Sequence, residues 1–227
     1  YTPRTLFPYT TLFRSAAGGK WNTKAKAHLF AGDAADAIEN ILMTGEVTVP
    51  QDFGFFPTPP NVAKQAADLA MIGDGMMVLE PSAGRGALAV AANSAAVGVM
   101  VDMHELLPDN HKALIDLKLP LSGISEPGDF LQVEPKPIYD RVLMNPPFDK
   151  KRSDIHHVVH ALKFLKPGGR LVAIMPSGVT FRDDALTRDF RGIVEQRGGS
   201  IETLPEASFK QAGTMVNTVL VVIPAAA

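Results

Sequence analysis

The chain contains no cysteine. That single absence excludes disulfides, thiolate metal centres and cysteine nucleophiles. No apolar run approaches the roughly 20 residues that cross a bilayer, and no charged-then-apolar leader is seen, so the expectation is a cytoplasmic protein with no membrane partner. Charge of one sign is also lacking: 22 Lys and Arg stand against 24 Asp and Glu, a net charge of −2. Any contact with a polyanion must therefore come from local patches rather than from the whole surface. What is present is 46% hydrophobic content over 227 residues, enough for one sizeable core and, by default, one α/β domain.

The first 15 residues are set apart. Thr5 to Ser15, TLFPYTTLFRS, looks like the in-frame translation of a sequencing-library adaptor, and the chain starts with Tyr1 rather than methionine. The expectation is a non-native segment over 1–15, with the natural gene continuing upstream. Residues 16–50 read as an appendage. They are basic around Trp21 and show no sustained period, and Asp33 caps a short helix through Leu42.

From residue 51 strand and helix signals alternate, which predicts a mostly parallel sheet covered on both faces. Thr58 is read as the cap of a helix to about Ile72, with Pro59 and Pro60 in its first turn. Strands are expected at Met76 to Glu80, Val97 to Glu105, Ile124 to Phe130, Tyr139 to Met144 and Arg170 to Met175. Ser200 to Leu204 and Thr218 to Ile223 fit a closing antiparallel pair. Helices are expected at Gly86 to Ala96, at Asp109 to Lys118, on the Ile155, Val158, Val159, Leu162 face, and on the Leu186, Phe190, Ile193, Val194 face. Lys166-Pro167-Gly168-Gly169 reads as the stop of the third of these.

Ligands of open α/β sheets bind outside the carboxyl ends of the strands, where strand order reverses. The turn Glu80-Pro81-Ser82-Ala83-Gly84-Arg85-Gly86 follows the first strand, and its glycines let backbone approach a ligand while the next helix offers free N–H groups. Ser82 stands where a dinucleotide binder has its first glycine, so a zwitterion smaller than a dinucleotide is expected. Glu105, after the second strand, can accept from ribose hydroxyls. Asp129 and Phe130 would set a carboxylate and a ring beside an adenine.

Asn145-Pro146-Pro147-Phe148 follows the strand Tyr139 to Met144. Two prolines lock φ and remove two donors, leaving free carbonyls in a stiff bend between an amide and an aromatic face. Such a bend can grip a planar amino group. The Asn145 amide oxygen and the Pro146 carbonyl can hold both hydrogens of an amino nitrogen and free its lone pair, which is catalysis by positioning and aimed dipoles. Phe148 can stack on the base and favour a transient cation by about 0.5–2 kcal/mol. No general base is required, since the nitrogen can lose its proton after transfer. The two turns together point to methyl transfer from S-adenosylmethionine.

Residues from about Phe53 to Ile223 resemble the amino-group DNA methyltransferases, above all the adenine-N6 enzymes of plasmids, phages and restriction–modification systems. Phe56-Pro57-Thr58-Pro59 matches their cofactor motif before the first strand, Glu80 to Gly86 their first motif, and Asn145 to Phe148 their catalytic tetrapeptide. Phe209-Lys210-Gln211-Ala212-Gly213-Thr214 is similar to their late motif, whose aromatic helps to hold a flipped base. The resemblance implies a Rossmann-like class I methyltransferase domain over 51–227, with a seven-stranded, mostly parallel sheet and an antiparallel last strand. It implies S-adenosylmethionine as cofactor, held by Phe56, Thr58, Pro59, Glu80, Pro81, Ser82, Ala83, Gly84, Gly86, Glu105, Asp129, Phe130 and Asn145. DNA is the implied partner, met by Phe148, Phe209 and the basic cluster Lys150, Lys151 and Arg152. It also implies a class in which a target-recognition domain follows the catalytic domain, whereas here the last strand ends close to Ala227.

Other readings stay open at this point. The same tetrapeptide occurs in enzymes that methylate a glutamine amide of release factors and in ribosomal RNA guanine-N2 enzymes. A non-catalytic DNA-binding or anti-restriction module would keep the fold but degrade the cofactor motifs, which are intact. His156 and His160 lie one helical turn apart, yet no Glu follows His156 to make His-Glu-x-x-His, so no metal is expected.

Overall fold

The structure is a computed structural model that describes residues 20–23, 27–29, 56–149, 152–206, 208–210 and 216–226. The segment 1–15, the helix expected from Asp33 to Leu42, Lys150, Lys151 and residues 211–214 of the late motif lie outside the described residues. The chain divides into two units, 1–54 and 55–227. In the first, β1 (Lys20–Asn22) and β2 (Ala27–Leu29) form an antiparallel ribbon with Trp21 opposite His28. No ribbon was expected there, because three-residue strands are too short for a hydrophobic alternation to register.

The second unit begins with α1 (Pro60–Ala70), followed by β3 (Met77–Glu80), α2 (Ala87–Asn93), β4 (Met100–Met103), α3 (Pro108–Leu117) and β5 (Gly123–Ile124). Then come β6 (Tyr139–Met144), α4 (Ser153–Ala161), β7 (Leu165–Pro176), α5 (Gly178–Phe181), α6 (Ala185–Gln196), β8 (Ser200–Thr203) and β9 (Thr218–Pro224). The strands make one seven-stranded sheet in the order β5-β4-β3-β6-β7-β9-β8. Every neighbouring pair is parallel except the two that β9 makes. The chain starts in the middle of the sheet and builds outward to one side, then returns to build the other, so the switch point lies between β3 and β6.

The central strands are apolar on both faces, as a sheet covered on both sides requires. Leu143, Val172, Ile174 and Leu220 join the alanines of α1 and α2 in one core layer. Val142, Met144, Leu171, Ala173 and Met175 join Ile155, Val158, Phe190 and Val194 in the other. Small residues on α1 (Ala63, Ala66, Ala67, Ala70) and α2 (Ala89, Ala92) are buried and let those helices pack closely. At the carboxyl end of α1, Arg141 Nε donates to the Ala70 carbonyl at 2.5 Å and Arg170 Nη1 to the Leu69 carbonyl at 3.1 Å. These two arginines face each other across β6 and β7. Their charge complements the negative helix end and fixes α1, and with it the Phe56–Pro59 segment at the opposite end.

Three expectations are corrected. The N-cap of α1 is Pro59 with no side-chain bond, so Thr58 does not cap the helix. The third strand shrinks to Gly123–Ile124, because Pro127 and Gly128 break the ladder and Phe130 enters a short 3-10 turn, Phe130–Gln132. Lys166-Pro167-Gly168-Gly169 does not stop the preceding helix, which ends at Ala161. It belongs to β7, where the register against β6 shifts between Tyr139 and Arg141. Gly169 is required at that irregularity, since a Cβ there would come within 2.9 Å of the Lys166 carbonyl oxygen and 3.2 Å of that of Asp140.

Candidate active site

The turn after β3 is held from both ends. The His104 N–H donates to the Glu80 carbonyl at 3.0 Å and the Ala83 N–H to the His104 carbonyl at 2.9 Å, tying the turn to the end of β4. Gly84 and Gly86 sit at φ 56° and 84°, the left-handed region that favours glycine. Gly86 has a second constraint: a Cβ there would stand 2.3 Å from Leu117 Cδ1 and 3.1 Å from Leu114 Cδ2. Its bareness therefore lets α3 approach, rather than a ligand.

Glu105 is buried, with Oε2 accepting from the Gly84 N–H at 2.6 Å and Oε1 from the Leu107 N–H at 2.7 Å. The carboxylate braces the turn; its remaining lone pairs are what it can offer to hydroxyl groups. The Gly128 N–H donates to the Glu105 carbonyl at 3.1 Å, bringing Asp129 to the same strand ends. Asp129 is exposed and accepts from the Leu131 N–H at 3.0 Å. Pro81 and Ala83 are buried and Ser82 half-buried.

Glu80 is fully buried, and its Oε2 has no hydrogen-bond partner among the described residues. Burial pushes its pKa well above the carboxylate range; a backbone bond from Ala89 opposes this and the nearby Glu105 charge adds to it. A buried carboxyl left unmatched beside a second one either keeps its proton or is matched by a cationic donor. The ammonium group of S-adenosylmethionine is one, so the donor set fits that cofactor. Asn110 in the first turn of α3 is a residue that the sequence did not single out. It is buried, its Oδ1 accepts from Arg85 Nε at 3.4 Å, and its Nδ2 has no partner. A lone Asn in a helix gives no periodic or motif signal.

Across the switch point, Asn145 Nδ2 donates to the Phe56 carbonyl at 3.0 Å and to Thr58 Oγ1 at 3.1 Å. A carbonyl oxygen can only accept, so the NH2 side of the amide is the side facing Phe56, and Oδ1 lies on the other. The role of the buried Thr58 is to hold this amide. Pro59 and Pro146 are buried, Pro147 half-buried. Phe148 is half-buried, packs against the first core layer and lies 6.5 Å from Phe56 between ring centroids at 39°. Residues 89 positions apart in sequence thus form one unit at the ends of β3 and β6.

Three of the expected site residues are placed elsewhere. Phe130 is buried in the second core layer, its ring centroid 5.0 Å from those of His160 and Phe164, so it is a core ring. Phe209 is 1% exposed and packed in the first core layer, not open to a base. Arg152 adopts φ 62° and is turned inward: Nη1 donates to Thr187 Oγ1 at 2.8 Å and pairs with Asp184 at 3.3 Å, while Nε lies 3.6 Å from buried Asp154. It clamps the segment after the Asn145–Phe148 bend to the start of α6. His160 Nε2 meets the Val133 carbonyl at 3.1 Å, and no group of metal-ligating side chains occurs among the described residues.

The seven-stranded order, with its switch point between β3 and β6, is that of the class I, Rossmann-like fold found in S-adenosylmethionine-dependent methyltransferases. Among solved structures, the chain is similar to the type I restriction enzyme EcoKI M protein, at 17% identity and a TM-score of 0.61 over 86% of this chain and 52% of that one. It is similar to TrmN from Thermus thermophilus, at 22% identity and a TM-score of 0.54 over 74% of this chain and 49% of that one. It is also similar to P. horikoshii TYW2 in complex with MeSAdo, at 21% identity and a TM-score of 0.51 over 75% of this chain and 64% of that one. The chain thus spans about half to two thirds of these proteins' lengths. No family model and no curated protein matches it.

Proposed function

We propose that this protein transfers the methyl group of S-adenosylmethionine to the exocyclic N6 of adenine in DNA, after rotating the base out of the duplex. The observation that carries this reading is the fixed Asn145 amide: its nitrogen is held by Phe56 and Thr58, which leaves Oδ1 and the Pro146 carbonyl as a pair of acceptors. Two acceptors suit an NH2 group with two hydrogens and favour the geometry that frees its lone pair. Phe148 stacks on the base, with Pro147 stiffening the bend. Glu80 takes the cofactor's ammonium group, and Glu105 and Asp129 take its ribose and adenine, at the turn formed by Pro81, Ser82, Ala83 and Gly84. When bound, S-adenosylmethionine supplies an electrophilic sulfonium methyl. The N–CH3 bond forms as the S–CH3 bond breaks, and the nitrogen then loses a proton to solvent.

Unstacking and rotating a base costs a few kcal/mol, which stacking on an aromatic partly offsets. Support for DNA comes from the Phe56–Pro59 segment and the resemblance to adenine-N6 enzymes, together with the similarity to a restriction–modification M protein. The test is labelled methyl transfer to unmethylated DNA followed by nucleoside mass spectrometry. N6-methyladenine is expected from the unaltered chain, and Asn145→Ala is expected to lose at least about a hundredfold in turnover while keeping cofactor affinity. Label found only in RNA or in a release-factor glutamine would replace the DNA reading.

A further inference from the structure

Phe181 is the only aromatic among the exposed large apolar side chains of the described residues, at 67% exposure. A single exposed apolar residue is ordinary; here its position and its mounting decide. In the parallel pair of β6 and β7, Met144 stands opposite Ala173, and β7 runs on to Pro176 before α5 begins. Three further strand residues, at about 3.3 Å each, carry α5 roughly 10 Å beyond the start of the catalytic bend. That is about three base steps of a B-form strand.

The mounting is rigid. Val179 is fully buried as an anchor. The Thr180 hydroxyl donates to the Ser177 carbonyl at 2.8 Å, and the Arg182 N–H donates to the Gly178 carbonyl at 3.0 Å. Arg191 reaches across from α6 to donate to the Val179 and Arg182 carbonyls at 3.1 and 2.7 Å. The Arg182 side chain folds back over the turn, where a Cβ on Gly178 would stand 2.8 Å from its Nε. Arg152, four residues past Phe148, ties this turn to the catalytic segment through Asp184 and Thr187. A ring held open to solvent, on a locked turn braced to the catalytic loop, costs little further entropy when a flat partner lands on it.

We infer that Phe181 is a stacking platform for a nucleobase flanking the flipped target, within the same nucleic-acid strand. This rests on the DNA reading above and names a contact that the catalytic motifs do not contain. Asp183 and Asp184 adjoin Arg182 on the turn, so its electrostatic pull on phosphate is small and the contact is one of stacking.

The probe is a fluorescent single-stranded DNA 20-mer of mixed sequence, titrated by anisotropy with the full chain. Phe181→Ala is expected to weaken binding by roughly five- to a hundredfold. The slope of affinity against salt should stay unchanged, because no phosphate contact is lost. Phe181→Trp is expected to restore affinity, which a purely structural residue would not do. Thermal unfolding of Phe181→Ala should match the parent, since the ring is exposed. Equal affinity of the parent and Phe181→Ala overturns the inference, as does a parent that binds no oligonucleotide. The methyl assay separates the two readings. A parent that methylates adenine with Phe181→Ala unaffected in KM for DNA sinks the platform alone. Phe181-dependent DNA binding with no adenine methylation sinks the adenine reading and leaves the platform standing.

Discussion

Glu80 carries an opposition that decides its behaviour: it is buried without a partner for Oε2 and lies near the Glu105 charge. A carboxyl whose folded pKa is raised binds its proton more tightly in the folded chain than in the unfolded one. Its contribution to stability is therefore fully present below the unfolded value near 4.5 and is lost as pH rises through the raised folded value. Cofactor bound as proposed would reverse this, since an ammonium group beside the carboxylate favours the ionised form and expels the proton. Glu80→Gln is expected to stabilise the cofactor-free protein at neutral pH by on the order of 1 kcal/mol and to flatten that pH dependence, read by denaturant midpoints from pH 5 to 8. The same substitution should weaken S-adenosylmethionine by about tenfold or more and abolish the fall in affinity on acidification, both read by calorimetry. A Glu80→Gln protein that binds cofactor as tightly as the parent would remove Glu80 from the site. At this scale the sequence was legible as to placement where the flanking residues leave one choice, as with Asn145, expected directly after a strand and found at the end of β6. It was not legible where one type has two uses. Phe130 and Phe209 carry the same local context as rings that line a pocket, yet both are buried in core layers, and only the packing of distant helices distinguishes the cases. Arg152 looked like a phosphate contact because Lys150 and Lys151 precede it. Its inward turn depends on Thr187 and Asp184, which lie more than 30 positions away.

Elements legible as such were those whose pattern survives at both faces, above all Tyr139–Met144, which was expected with these bounds and found with them. The edge strand β5 was over-read because Ile124 and Phe130 bracket a Pro-Gly pair that no ladder tolerates. The start of β7 was under-read because Pro167-Gly168-Gly169 has turn chemistry in sequence and an irregular strand in space. A testable consequence falls on the junction of α2 with α3. Gly86 has φ 84° as the residue before α2, and the space its Cβ would take is filled by Leu117 and Leu114 of α3. Gly86→Ala combines a left-handed backbone for a non-glycine residue with an overpacked contact, each costing about 1–2 kcal/mol or more. The expected loss is about 2–4 kcal/mol in unfolding free energy from urea titration. A loss below about 0.5 kcal/mol would mean that α3 moves away freely. Because Glu105 braces the Gly84 N–H two residues earlier, the displaced turn should also lose cofactor affinity.

For the molecule as a whole, the order of strands places two turns side by side that sequence separates by about 60 residues, Glu80 to Gly86 and Asn145 to Phe148. The acidic and basic totals nearly cancel, so affinity for a small zwitterion would be set by the local groups of these two turns rather than by the overall field. Linkage turns that into a measurement on the intact chain. A ligand that binds only the folded state, present at about a hundred times its Kd, stabilises by about 2.7 kcal/mol. For a unit of this size each kcal/mol moves the thermal midpoint by about 2–4 °C, so S-adenosylmethionine should raise Tm by roughly 5–10 °C. The demethylated product should act in the same direction, since it keeps the ammonium, ribose and adenine groups that Glu80, Glu105 and Asp129 would hold. NAD at the same concentration should leave Tm where it is: Ser82 stands where a dinucleotide fold needs its first glycine, and NAD has no ammonium group to match the buried Glu80 carboxyl. An upward shift with NAD equal to that with S-adenosylmethionine would show that these turns select the nucleoside alone and that the Glu80 carboxyl does not discriminate.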